Sequence, residues 1–353
     1  MTLLFADGFD GIEDWESEVN PGAYWDTWEH TDVDISTAYG RRAGSRGATV
    51  PSTAGSGYRT IAKSTTNSTS IFVGAAINLR GDCSSATAER LRIIQFFNST
   101  TPLFTVRAVG SSNRALEVRS GSETGTVLGT TTSPISYQSW VFIEIGITIS
   151  PTIGTVIIKF DGTTVLNLSG LNTGSVAINS IKATLNGLGF TDRAGYWLDD
   201  VYICDGQGAT NNTFLGDIRV DSYAPVSDGV HQDWTRSAGS NTWSLVDENP
   251  PSATDLVSGT AVGQKVTTKV SASDTGRQIL GVVVSNISNE SEGSGTRKVR
   301  PLAVMGGSTV NGTEHTLLTT YLRCPQVLEK APDGTDWTYT KLNNSEFGLE
   351  VTA

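Results

Sequence analysis

Three groups of side chains in this 353-residue chain have the types and spacing to do chemistry. The first is the acidic run Glu13-Asp14-Trp15-Glu16-Ser17-Glu18. On a strand, Asp14, Glu16 and Glu18 would share one face, and two carboxyl groups about 5–10 Å apart across a cleft can hydrolyse a glycosidic bond. The flanking Gly8, Gly11, Asn20 and Pro21 form turns and loops, and a loop does not hold two acids at a fixed separation. A solvated acidic turn is the expectation here, ahead of a catalytic pair or a cation-binding loop.

The second group is Asp199-Asp200, set inside the apolar segment Tyr196–Cys204. Neighbouring residues of a strand point to opposite faces, so this pair is not expected to act as a dyad. Structural hydrogen bonding is the first expectation, and Asp199 or Asp200 binding a metal, Ca2+ at a sandwich edge, is the alternative. The third group is aromatic. Trp15, Tyr24, Trp25, Trp28 and Tyr39 lie beside Asp26, Glu29, Asp32 and Asp34. Exposed rings next to acids grip sugars through their faces and through hydrogen bonds to hydroxyls. Tyr24, Trp25 and Trp28 are therefore the candidate carbohydrate-binding residues, against the competing reading that they plug a core or cover a sheet edge.

Other chemistries lack their residues. His30, His231 and His315 are solitary, and no His-Glu-x-x-His, Gly-x-Ser-x-Gly or Gly-Lys-Ser/Thr sequence occurs. No catalytic residues and no cofactor are assigned, and a non-enzymatic protein is expected. Lys plus Arg number 25 against 36 Asp plus Glu, for a net charge of −11. A binder of nucleic acid needs a positive face to displace counterions, so nucleic acid is not an expected partner.

These side chains have to be positioned by strands. Charged residues make up 17%, below the roughly 25% of an average soluble domain, and 38 Gly accompany abundant Ser, Thr and Asn. That composition favours pleated strands and turns over surface helices. The 8 Trp, 9 Tyr and 11 Phe supply apolar surface that a disordered chain lacks. Cys83, Cys204 and Cys324 are odd in number and far apart, which reads as three buried thiols. The opening residues carry no basic region, so folding in a reducing cytosol is the expectation, and no apolar run reaches the roughly 20 residues that span a bilayer.

Strands are expected at Ile71–Leu79, Leu91–Phe97, Leu103–Val109, Leu116–Val118, Trp140–Ile149 and Tyr196–Cys204. Asp161-Gly162 between Thr155–Phe160 and Thr163–Leu168 accepts the positive φ angles of a tight hairpin turn. The small and polar stretch Gly206–Thr213 marks a domain boundary, giving domains 1–206 and 207–353. Further strands are expected at Gly216–Tyr223, Lys265–Val270, Gln278–Ile287, Arg297–Met305, Thr316–Arg323 and Phe347–Val351. The fold class is all-β, two β-sandwich or jelly-roll-like domains.

Phe5-Ala-Asp-Gly-Phe-Asp10, Tyr196-Trp-Leu-Asp-Asp-Val-Tyr-Ile-Cys-Asp-Gly206 and Asn211-Asn-Thr-Phe-Leu-Gly-Asp-Ile-Arg-Val220 resemble segments of tailed-bacteriophage and prophage virion proteins. Trp243, Val246-Asp247-Glu248 and Pro250-Pro251 fit the same pattern. The resemblance implies a concanavalin A-like lectin/glucanase, or laminin-G-like, first domain, with the Asp-Gly-Phe-Asp segment and the Leu-Asp-Asp-Val strand pairing. It further implies a structural component of the virion, assembled in the host cytoplasm, in a tail appendage or as a capsid decoration. Its partners would be other virion proteins, copies of itself and host surface glycans. A glycan depolymerase on the same scaffold, or a carbohydrate-binding module with no role in assembly, are the other readings.

Overall fold

A computed structural model describes residues 2–11, 25–28, 33–50, 59–80, 91–109, 114–185, 195–248, 252, 254–291, 293 and 296–353. The chain forms two compact units, the first running to Asp221 and the second from Ser222. Nearly all its regular structure is antiparallel strand, as the composition requires.

The first unit is a sandwich of an eight-stranded and a seven-stranded sheet. The eight-stranded sheet runs in the order Thr163–Leu171, Gly154–Phe160, Trp140–Thr148, Ser70–Arg80, Gly195–Asp205, Gly47–Thr49 and Asp34–Ser36, with Leu3–Asp7 also pairing Gly195–Asp205. The seven-stranded sheet runs Val127–Pro134, Ala115–Ser120, Thr101–Ala108, Arg92–Asn98, Ile178–Thr184, Thr60–Ser68 and Thr27–Trp28. The hairpin turn is as expected, with Asp161 at φ 46° and Gly162 at φ 80°. Strand Trp140–Thr148 lies between two partners, which explains its unbroken apolar run.

Directly paired residues of antiparallel strands point to the same side, so the register sorts the eight-stranded sheet into two faces. Ile71, Val73, Ala75 and Ile77 share a face with Val141, Ile143, Ile145, Ile147, Leu198 and Ile203, and all are buried as the inter-sheet core. Across that core the Tyr196 hydroxyl donates to the Ile93 carbonyl at 2.7 Å. The opposite, outer face is made of rows: Phe72 with Gly146 and Cys204, Gly74 with Glu144 and Tyr202, Ala76 with Phe142 and Asp199, Asn78 with Trp140 and Trp197.

The boundary expected at 206 lies instead at Asp221/Ser222. Residues 206–221 form no strand, so the strand expected at Gly216–Tyr223 is absent. They act as a strap across part of the outer face. The Phe214 ring meets Phe72 edge to face at 5.0 Å, with Lys159 Nζ 4.2 Å from its centre. Small, polar residues read as a linker because their hydrogen bonds go to distant side chains that the local sequence does not reveal.

In the second unit a six-stranded sheet has the order Pro225–Gln232, Lys265–Val270, Glu346–Val351, Lys298–Met305 and Ser308–Asn311, with His315–Thr316 on Lys298–Met305. The pair Val282–Ser288 and Leu322–Leu328 supplies a second layer, since Val284 and Leu328 pack with Ala303, Trp337 and Leu342. The expected Thr316–Arg323 strand is broken, because its two ends belong to different sheets. The helix Tyr339–Asn344 is capped by Thr338. Cys204 and Cys324 are buried thiols, and burial pushes the Cys324 thiol up to about 12. Cys83 lies outside the described residues.

Candidate functional site

Two of the motifs singled out in the sequence, Phe5–Asp10 and Tyr196–Gly206, are anchors. Strand Leu3–Asp7 pairs antiparallel with Gly195–Asp205, Asp7 standing opposite Val201. Asp7 accepts the Trp25 indole N–H at 2.7 Å and the Phe9 amide at 2.9 Å, while Asp10 accepts the Arg46 amide at 2.6 Å. Gly8 is required by close approach: a Cβ there would stand 2.6 Å from the Val220 carbonyl oxygen.

Asp199 and Asp200 are both fully buried, contrary to a simple alternation. The ladder slips between Asp199 and Tyr202, and Asp200 sits at φ 51°. Such a bulge places two consecutive side chains where alternation would separate them. Asp199 accepts the Arg41 amide at 2.8 Å, the Asp200 amide at 2.7 Å and the Ser45 hydroxyl at 3.3 Å. Asp200 accepts Arg42 at 2.5 and 2.9 Å, Arg41 at 3.3 Å and the Val220 amide at 2.9 Å. The pair thus tethers the 40–46 loop and the strap. Among the described residues no group of three or more His, Cys, Asp or Glu could hold an ion.

Burial, then the neighbouring Asp200 charge, raises the Asp199 pKa above the ordinary 3.8. A raised carboxylate pKa means that the folded state binds more protons than the unfolded chain. The contribution of Asp199 to stability is therefore full below 3.8 and is lost as pH climbs through the raised value. Asp199→Asn is expected to remove this term, so that urea unfolding shows the stability of wild type relative to the variant falling between pH 4 and pH 8. A relative stability that is flat or rising over that range would refute the assignment.

Below the bulge, Tyr202 donates to Glu144 at 2.5 Å, Glu144 accepts the Gly216 amide at 2.8 Å and the Tyr202 oxygen accepts the Leu215 amide at 3.1 Å. Burial and the Glu144 charge raise the Tyr202 pKa, keeping the phenol a donor. Gly74 makes room for this clasp, because a Cβ on it would collide with the Tyr202 ring.

The proposed sugar contact at Trp25 is overturned. Trp25 is 2% exposed, edge to face with Phe5 at 4.8 Å and stacked on Phe9 at 6.0 Å. Tyr24, the Trp28 side chain and the acidic run 13–18 lie outside the described residues.

The aromatic surface lies elsewhere, at the end of the outer face beyond the strap. Trp197 stands 6.3 Å from Trp140 and 5.4 Å from Tyr39, and the Arg80 guanidinium lies 4.0 Å over its ring. Trp140, Trp197, Tyr39 and Arg80 are all half-buried. Burial and the hydrogen bond to Asp34 raise the Tyr39 pKa. Asn78 forms the floor between Trp140 and Trp197. It is 4% exposed, yet its Oδ1 has no hydrogen-bond partner among the described residues. A buried acceptor without a donor costs about 1–3 kcal/mol, and a ligand hydroxyl would satisfy it. The sequence hides these residues because they come from four separated segments. Their shared signal is parity: Asn78, Trp140 and Trp197 sit on the strand positions that the apolar core does not use.

No family model and no curated protein matches the chain. Among solved structures it is similar to domain 4 of AbnA, a GH43 extracellular arabinanase from Geobacillus stearothermophilus in complex with arabinotriose. That match has 14% identity over 58% of this chain and 92% of that one, at a TM-score of 0.36. It is also similar to the CBM2 module of the Lactobacillus casei BL23 phage J-1 evolved Dit, at 12% identity over 57% and 94% with a TM-score of 0.35. The Emp47p carbohydrate recognition domain matches at 10% identity over 58% and 98%, with a TM-score of 0.37. With scores this low, what those proteins bind or degrade stays theirs, and the chemistry of this chain rests on its own residues.

Proposed function

We propose that this chain is a non-enzymatic, glycan-contacting structural protein, and that the Tyr39, Trp140 and Trp197 surface is its contact. The unpartnered, buried Asn78 Oδ1 between two half-exposed indoles carries the reading. Indole faces lie against the C–H surface of a sugar ring, and an acceptor in the floor orients a hydroxyl. The buried carboxylates Glu144, Asp199 and Asp200 are committed to arginines, a phenol and backbone amides, which supports binding over hydrolysis.

The phage-like motifs support placing the protein in a virion assembled in the host cytoplasm, in a tail appendage among other virion proteins and copies of itself. Decoration of the capsid is the alternative position. Weak sites repeated on one particle would add up to firm attachment. Glycan-array binding by the full-length chain is expected, and Trp140→Ala or Trp197→Ala should weaken it by about tenfold or more with little change in unfolding midpoint. Loss of intact polysaccharide with release of new reducing ends would overturn the non-enzymatic reading. Binding that survives both substitutions would overturn the site.

A further inference from the structure

We infer that the sugar bound at this surface is anionic, carrying a carboxylate that Arg80 receives. This rests on the glycan-contacting reading and names its ligand class. Several arginines of the first unit have carboxylate partners: Arg41 and Arg42 on Asp200, Arg92 on Glu123, Arg107 and Arg119 on Glu117. Among the described residues Arg80 makes no ion pair and no side-chain hydrogen bond, in a chain whose net charge is −11. Its side chain lies instead over the Trp197 ring.

Register explains how it gets there. Arg80 pairs with Gly195, which has no side chain, and Trp197 stands two residues further along the same strand face. The guanidinium can therefore lean diagonally onto the indole. Stacking occupies the face of a guanidinium and leaves the N–H groups at its edge, whose planar fork matches the two oxygens of a carboxylate. Asn78, two residues before Arg80 on the same face, offers an acceptor that a sugar hydroxyl would fill.

A neutral sugar would satisfy Asn78 and leave the Arg80 fork empty, whereas an acidic sugar satisfies both. A second guanidinium, Arg114, lies 4.5 Å over the Tyr137 ring, and Tyr137 bridges to Leu79 beside Arg80. That end of the sandwich thus holds two stacked cations. Asp34 lies three strands from the strand of Arg80 in the sheet order, and its carboxylate accepts from Tyr39.

The test uses the full-length chain and paired probes: oligosaccharides containing galacturonate, glucuronate or sialic acid, each beside its carboxyl-reduced neutral form. Titration calorimetry is expected to show the acidic form of at least one pair binding tenfold or more tighter, with the preference shrinking as salt rises. Arg80→Gln should bring the ratio close to one, and Trp140→Ala should weaken both forms. If Arg80→Gln does not fold, the salt dependence of wild type alone decides. Equal binding of every acidic and reduced pair, a neutral preference, or an unchanged ratio in Arg80→Gln overturns the inference while leaving the glycan reading intact. Failure of every probe in both forms overturns the glycan reading and this inference with it.

Discussion

Glu144→Ala is expected to destabilise the first unit by about 2–6 kcal/mol, the cost of leaving two buried donors without their acceptor. The carboxylate is 1% exposed and accepts both the Tyr202 hydroxyl and the Gly216 amide. Its removal leaves those two donors in an apolar space, at about 1–3 kcal/mol for each unsatisfied group, and opens a void beneath Phe142 and Tyr202, whose rings stack at 6.2 Å. Tyr202→Phe removes a single hydroxyl and should cost less. Because both residues serve one clasp, the double variant should lose less than the sum of the two single losses. Urea unfolding of the full-length chain supplies the measurement. A loss below about 1 kcal/mol for Glu144→Ala would mean that the strap is held instead by Phe214 and by the ion pair of Asp217 with Arg41 at 2.5 Å.

Trp25→Ala should be of comparable size, about 3–5 kcal/mol for a large core aromatic. The ring is enclosed by Phe5 and Phe9, and its N–H is bound to the buried Asp7. Alanine therefore leaves both a cavity and a carboxylate short of a donor. Trp25→Phe fills more of the space and leaves only the carboxylate short, so its loss should be smaller. The contrast with the outer-face aromatics is the informative part. Trp25 variants should lose stability and keep whatever affinity the folded fraction has, whereas Trp140 and Trp197 variants should do the reverse. A Trp25→Ala protein of native stability would return Trp25 to the list of surface residues.

The two classes of tryptophan show how far the sequence could be read. Strands such as Ser70–Arg80 and Trp140–Thr148 were legible within one or two residues, because buried central strands leave an apolar run bounded by turn formers. The pairing that the resemblance implied between the Asp-Gly-Phe-Asp segment and the Leu-Asp-Asp-Val strand is present at Asp7, opposite Val201. The role of those acids was not legible, since nothing local says that Asp200 meets Arg42 across 158 residues of sequence. The bulge at Asp200 also defeated the period-two argument, because one left-handed residue shifts all that follows to the other face. Trp25 stayed a candidate sugar ligand beside the core-packing reading because composition cannot distinguish an aromatic facing water from one facing a core.

The Cys204 thiol sits on the outer face in the row of Phe72, fully buried, and donates to the Thr213 carbonyl of the strap. A reagent can reach this sulfur only after the strap lifts, whereas the Cys324 thiol lies in the core of the second unit among Val266, Val299 and Leu349. The two sulfurs therefore report different openings of the same molecule. With Cys83 replaced, the alkylation rate of Cys204 becomes a clock for local release of residues 206–221, read against Cys324 as the clock for loss of the second core.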